Sequence, residues 1–290
     1  MPDSGLVYAC MTHVPLWLPQ PSWVTTIHLG QAQSEGRLNL RDLAPEWEPH
    51  HPVLGGTAGS FALRQYVLKC RPDATRVGLC QYRKFVSRHR VSAVPDPKYR
   101  VMDVVQLQSL RSDTYACHLD PGEAAFVLSA PRRFTRLPWY RRGYLKEYAR
   151  DHDVDDLLRF TAEAVDQGVI GREEVLAFFN EDLIVPGGVE LGVYPADFWL
   201  DSIGRIEDVV RACVGRFPLA KVGEQARAWS FCAERLGSWL LLKRLRSEAA
   251  TGLATRHLRW FNQRAWMRRY VGQLNLVTKD AGHRGYSVKA

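Results

Sequence analysis

Short apolar runs that stop at polar residues recur along this chain and alternate with stretches of helical spacing. Residues 5–10 (GLVYAC) read as a buried strand that turns polar at Met11, Thr12 and His13. Residues 76–85 read as a second core strand, ending in the cationic, aromatic cluster Gln81-Tyr82-Arg83-Lys84-Phe85. Residues 124–128 and 189–194 read as further strands, closed by Pro131 and Pro195. Helical spacing predicts helices over 58–69, 140–150, 154–166, 173–180, 196–214 and 224–245. The first would bury Phe61, Leu63, Tyr66 and Leu68; the fifth, Phe198, Ile203, Ile206, Val210 and Cys213. Residues 14–57 read as a short segment around Ile27-His28-Leu29-Gly30-Gln31 and then a long loop, and 86–100 as a basic, Pro-containing loop. Strands alternating with helices predict an α/β domain with a mostly parallel central sheet flanked by helices. Open sheets of that kind hold ligands at the C-terminal ends of their strands.

Composition narrows the class further. The 290 residues are 46% hydrophobic and 24% charged, which argues against a disordered chain and a coiled coil. No apolar run approaches the ~20 residues that span a bilayer. The first residues show no basic region followed by a cleavage-type ending, so the chain reads as lacking a signal peptide and as cytoplasmic. Six cysteines without a CxxC pair read as buried thiols of a reducing compartment. The net charge of +8 is unevenly spread: from Lys243 onward there are eleven Lys/Arg and two acidic residues, and the body before it is balanced. The boundary expected from this is a domain over 1–246 and a basic, aromatic, helical extension over 247–290. Arg256, Arg259, Trp260, Arg264, Trp266, Arg268 and Arg269 in that extension suit a helix packed on the body or an anionic membrane surface. The balanced body argues against a nucleic-acid partner.

Three constellations carry chemistry. Gln81-Tyr82-Arg83-Lys84 at a strand end offers a guanidinium fork and an ammonium to a diphosphate, or else a surface ion-pair site. Asp151-His152-Asp153-Val154-Asp155-Asp156 suits an N-cap at Asp153, a substrate contact through His152, or a metal held by Asp153 and Asp155. Glu234-Arg235 sits among apolar residues at the start of a long helix, which suits a general base or an internal salt bridge. Gly55-Gly56-Thr57-Ala58-Gly59 is a turn with a weak phosphate-loop character, since no Lys-Ser/Thr follows it.

Taken in order, these segments resemble one family: the bacterial glycosyltransferases of capsular-polysaccharide gene clusters, first catalogued as a domain of unknown function. Its opening Thr-His motif is similar to Thr12-His13-Val14, and its next segment to Ile27-His28-Leu29-Gly30-Gln31-Ala32. Its main signature resembles Val77-Gly78-Leu79-Cys80-Gln81-Tyr82-Arg83-Lys84-Phe85, with Gln81 in place of the usual His. Tyr148, the stretch His152 to Leu157, and Glu234-Arg235-Leu236 complete the match over about residues 5–245.

The resemblance implies a GT-A-like, Rossmann-like fold and transfer of a sugar from a nucleotide-diphosphate donor to a hydroxyl of a glycan or lipid-linked acceptor. It implies nucleotide contacts from His13, Gly30 and Tyr82, with Arg83 and Lys84 on the diphosphate. His152 and Arg235 would face donor or acceptor, and Glu234, with Asp153 as runner-up, would take the acceptor's proton. No cofactor is expected, since the strand end carries Arg83 and Lys84 where related folds carry a metal-binding Asp-Xaa-Asp. The alternative is a divalent metal such as manganese or magnesium on Asp153 and Asp155. The alternative function is a catalytically degenerate binding protein on the same scaffold. The expected location is the cytoplasm, at the inner face of the cytoplasmic membrane.

Overall fold

The computed structural model describes residues 5–30, 37–87, 94–95, 102–106, 110, 112–129, 131–134, 143–217, 221–250 and 271–277. The strand β1 (Leu6–Thr12) is buried at every position, as a strand covered on both faces must be. It pairs in parallel with β2 (Val24–His28) on one side and with β3 (Arg76–Gln81) on the other. Helix α3 (Gly56–Cys70) provides the crossover into β3. Gly78 is required at the middle of β3, because a Cβ there would lie 2.2 Å from the ring of Tyr8 on β1.

Around this parallel trio the sheet continues in both senses. β4 (Lys84–Ser87) turns back against β3, with Gln81 opposite Lys84. β5 (Val94–Pro95) pairs antiparallel with β6 (Met102–Gln106). β7 (Val127–Leu128) and β10 (Gly192–Pro195) pair antiparallel, and β10 also runs antiparallel to β3. β11 (Val271–Val277) joins the halves, antiparallel to β4 and parallel to β6. More residue pairs lie in parallel than in antiparallel register. β8 (Arg132–Arg133) and β9 (Leu183–Ile184) form a separate ribbon.

Two apolar cores cover the two faces. On one, Val7, Ala9, Met11, Val77 and Leu79 meet α3, α6 (Val154–Asp166), α8 (Ala196–Arg216) and α9 (Ala228–Ala250). On the other, Leu6, Tyr8, Cys10 and Cys80 meet Phe85, Val86 and α4 (Ser112–Leu119). The mixed α/β domain with helices flanking a mostly parallel sheet is therefore present, with helices α5 (Tyr144–Asp151) and α7 (Val175–Asn180) beside α6 and α9. Cys10, Cys80, Cys213 and Cys232 are buried, Cys70 and Cys117 exposed, and all six are free thiols.

Several expectations are corrected. The loop over residues 32–56 holds α1 (Leu40–Leu43), a 3-10 turn (Pro45–His50) and α2 (His51–Leu54). Asn39 caps α1 by accepting from the Asp42 amide, and Trp47 anchors the 3-10 turn in the core. Leu68, assigned to the core, is 46% exposed, while its neighbour Val67 supplies the buried position of that turn. The run 76–85 is two strands joined by a tight turn at Tyr82-Arg83. Of the C-terminal extension, residues 247–250 continue α9, which runs unbroken across the expected boundary at 246/247, and residues 271–277 are a strand. Their sequence, VGQLNLV, places Leu274 and Leu276 two apart, the spacing of a strand. The basic residues from Arg256 to Arg269 lie outside the described residues. No helix among the described residues is long and apolar enough to cross a membrane.

Candidate functional site at the strand ends

Because β1, β2 and β3 are parallel, their C-terminal ends share one edge, with Thr12 opposite His28 and Met11 opposite Gln81. The ladder extends one step past each end: the Leu29 amide donates to the Thr12 carbonyl at 2.8 Å and the Tyr82 amide to the Met11 carbonyl at 2.9 Å. His13, Gly30, Tyr82, Arg83 and Lys84 are thereby brought to one edge. The His13 ring lies 5.1 Å from Tyr82 and 6.2 Å from His51, and Trp17 packs edge-on against Tyr82 at 5.2 Å. The Arg83 guanidinium carbon sits 5.7 Å from the Tyr82 ring. Gly30 lies against His51: a Cβ on it would be 2.8 Å from the imidazole.

A second cation faces this edge from the helical layer. Arg227, in the 3-10 turn (Gly223–Arg227) that leads into α9, lies 5.4 Å from the Phe231 ring and beside Gly55 at the start of α3. Among the described residues neither Arg83 nor Arg227 is in an ion pair. Burial, then His51, Arg83 and Arg227, holds His13 below the usual histidine range. Burial and Arg227 do the same for His51, with Glu48 opposing. Two guanidinium groups beside two imidazoles of lowered proton affinity make this edge electropositive and suited to an anion.

The opposite wall is acidic, and a glycine loop builds it. The segment Val185-Pro186-Gly187-Gly188-Val189-Glu190-Leu191 turns tightly before β10, with Gly187 and Gly188 at φ +85° and +52°. A Cβ on Gly188 would lie 2.8 Å from the Glu234 carbonyl oxygen, so only glycine lets the loop rest on α9. The Trp199 indole donates to the Val189 carbonyl at 3.0 Å, and Ser238 accepts from the Val185 amide at 2.9 Å. Held this way, the Gly187 amide donates to Glu234 Oε1 at 2.8 Å. Three residues on, Glu190 Oε1 accepts from the Thr57 hydroxyl at 2.8 Å, and that hydroxyl is 3.1 Å from Ser230 Oγ. Gln81 Nε2 and Glu190 Oε2 converge on Gly56, where a Cβ would lie 2.7 and 3.9 Å from them. Burial pushes the Glu190 carboxyl up to about 8; the Thr57 hydrogen bond opposes this, Glu234 adds to it, and Arg227 and Lys84 oppose it.

The remaining sequence-derived candidates separate. His152 caps α5, stacks on Phe231 at 4.4 Å and lies 4.8 Å from Tyr148, so it joins the Arg227 wall through Phe231. Burial and Arg235 hold its imidazole below the usual range. Arg235 forms an internal ion pair, the alternative that the sequence left open for it. It is 5% exposed, pairs with Glu147, donates to the Phe231 carbonyl at 2.9 Å and lies 4.8 Å from the Tyr148 ring. Asp153 accepts from the Asp155 amide as the N-cap of α6 and bonds Lys221 at 2.8 Å; Asp156 bonds the same ammonium at 2.6 Å. Asp153 is thus occupied away from the strand ends, and Asp155 is exposed on the first turn.

A divalent ion needs several oxygen ligands converging without a competing cation. Asp153 already holds Lys221, the end of β3 presents Gln81, Tyr82, Arg83 and Lys84, and no group of three His, Cys, Asp or Glu residues among the described ones suits a metal. The residues at this edge do not fit such an ion.

His51, Thr57, Glu190, Arg227 and Ser230 escape sequence reading as site residues. The adjacent Gly187-Gly188 pair was the available signal for Glu190, since a double glycine before a strand marks a close backbone approach. Thr57 lies within the glycine turn that had a weak phosphate-loop character.

The fold, a mixed α/β domain whose mostly parallel sheet is flanked by helices, has a counterpart among solved structures. One solved structure is similar over 84% of this chain: the apo WbbM bifunctional glycosyltransferase, at 14% identity and a TM-score of 0.62. The match covers 43% of that chain, so this chain spans less than half of its length. No protein-family model matches the sequence, and no curated protein matches it.

Proposed function

We propose that this protein is a glycosyltransferase that moves a sugar from a nucleotide-diphosphate donor to a hydroxyl of a glycan or lipid-linked acceptor. One observation carries the reading: at the C-terminal ends of three parallel strands, two guanidinium groups that form no ion pair among the described residues share the site with the carboxylates of Glu190 and Glu234. Glycosyl transfer needs those two elements, because the leaving diphosphate accumulates negative charge while the acceptor hydroxyl loses a proton. Arg83, with Lys84 and Arg227, meets the diphosphate; His13, Gly30 and Tyr82 border the nucleotide; Glu190 and Glu234 stand on the acceptor side. His152, through Phe231, lines the cleft beyond Arg227.

A thermal-shift panel of nucleotide sugars, followed by a transfer or hydrolysis assay on each hit, tests this. A stabilising nucleotide sugar that is turned over, with EDTA leaving the rate unchanged, is the expected outcome. A panel with no shift overturns the reading. Gln81 favours a second reading, a binding protein that has lost catalysis, since an amide at this strand end cannot exchange protons as the family's His does. Binding without turnover would select it. The basic segment beyond Lys243 is proposed to hold the enzyme at an anionic membrane surface, which equal liposome co-sedimentation with and without residues 251–290 would refute.

A further inference from the structure

We infer that Glu190 is the group that takes the acceptor's proton, and that Glu234 is a positioning residue that fastens the glycine loop carrying Glu190. The inference rests on the glycosyltransferase reading above and assigns roles within its carboxylate pair.

The two carboxylates differ in what surrounds them. Glu234 Oε1 is tied to the Gly187 amide, a contact that fastens α9 to the glycine loop. Glu190 is surrounded by groups of the strand-end cleft: Thr57 at the start of α3, Gln81 at the end of β3, and the charges of Lys84 and Arg227. It reaches this place from the last residues before β10, the strand that lies against β3, so its position is fixed by the sheet. The Thr57 hydroxyl occupies Oε1. Among the described residues no hydrogen bond engages Oε2, which is turned toward Gly56 and the Gln81 amide. A carboxylate anchored by one oxygen and open at the other is placed to accept a proton.

In the step, the acceptor O–H bond breaks and its proton passes to Glu190. The electron pair left on that oxygen forms the new bond to the anomeric carbon. The bond from that carbon to the diphosphate oxygen breaks, and its electron pair leaves with the diphosphate beside Arg83. The proton on Glu190 returns to solvent after release. The charged and titratable groups around Glu190 bear on its proton affinity: Glu234 of α9 raises it, Arg227, Lys84 and the Thr57 hydrogen bond lower it, and the buried Tyr194 phenol interacts with the carboxylate.

The test compares three variants of the full chain on a nucleotide sugar that the parent turns over. Glu190→Gln is expected to lower kcat/KM by about a hundredfold or more, with nucleoside-diphosphate affinity and unfolding midpoint at pH 6 unchanged. Glu234→Gln is expected to keep transfer and to move the acid limb of the pH profile to lower pH, because a neighbouring negative charge is gone. Thr57→Val is expected to move that limb to higher pH, because the hydrogen bond that favours the ionised carboxylate is gone. Should Glu190→Gln fail to fold, the opposed shifts of the other two decide the matter. Turnover by Glu190→Gln at the parental rate, or a limb that stays put in both other variants, overturns the assignment and leaves the glycosyltransferase reading standing. A parent protein that turns over no nucleotide sugar overturns that reading and the assignment together.

Discussion

Two enclosed glutamates in this molecule have opposite surroundings. Glu207, on α8 with a side chain 4% exposed, accepts from the Trp47 indole at 2.8 Å, from Arg64 at 3.2 Å and from Arg211 at 2.9 Å. Both oxygens have a donor and two guanidinium groups cancel the charge. Glu190 has one hydroxyl, no bonded cation and a second carboxylate nearby. The guanidinium groups divide the same way: Arg64, Arg211 and Arg235 are bound to glutamates, whereas Arg83 and Arg227 are in no ion pair among the described residues. Saturated charge holds helices together; unsaturated charge at the strand ends is left for a ligand. A buried pair is costly to break, while an under-neutralised group is costly to keep.

The largest effect tests the saturated side. Glu207→Ala is expected to cost about 3 kcal/mol in a urea unfolding experiment, because it leaves the buried Trp47 indole N–H without its acceptor and removes the counter-charge of Arg64 and Arg211. An equal loss from Glu190→Gln would erase the distinction. Next, Arg83→Ala is expected to weaken nucleoside-diphosphate binding by about 1.5–3 kcal/mol, the range for hydrogen bonds to a charged group, at unchanged stability. Calorimetric titration reads it, and unaltered affinity would return Arg83 to the ordinary surface. The third effect depends on pH. A carboxyl raised from 4.5 to about 8 in the folded state contributes stability that is present at low pH and lost as pH rises through 8. Glutamine carries no such dependence, so Glu190→Gln is expected to gain on the parent between pH 5 and 9, by about 1–2 kcal/mol after allowing for solvent. A constant difference across that range would place Glu190 among the saturated groups. Smallest is Asp153→Ala, which removes the cap of α6 and is expected to cost about 1 kcal/mol of stability with the transfer rate unaltered. A lost rate would return Asp153 to the candidates.

What the sequence discloses follows the same division. The helices containing Phe61, Phe160, Ile203 and Leu236 were legible because each buries one continuous face, and burial on one face imprints a period. β1 was legible because burial on both faces leaves an unbroken apolar run. The turn at Tyr82-Arg83 was not, since neither residue is a glycine or asparagine that signals a hairpin. Arg83 and Glu234 were found through the resemblance and their local surroundings. For Arg235 the sequence left a site role and an internal salt bridge open, because an Arg beside a Glu looks the same whether it faces a ligand or points back to Glu147, 88 residues away. Glu190 and Arg227 escaped because their significance lies in their proximity to Thr57 and to Gly55, which chain distance does not convey; only the Gly187-Gly188 pair hinted at Glu190.

The glycine loop has a wider consequence. One amide of this loop grips Glu234, and Glu190 follows three positions later on the same short arc. The gap between the two acids is therefore a matter of loop geometry, set by residues that never meet a ligand. Lengthening or shortening that arc by a single residue would retune the acidity at which the molecule works while leaving every group on the opposite wall untouched.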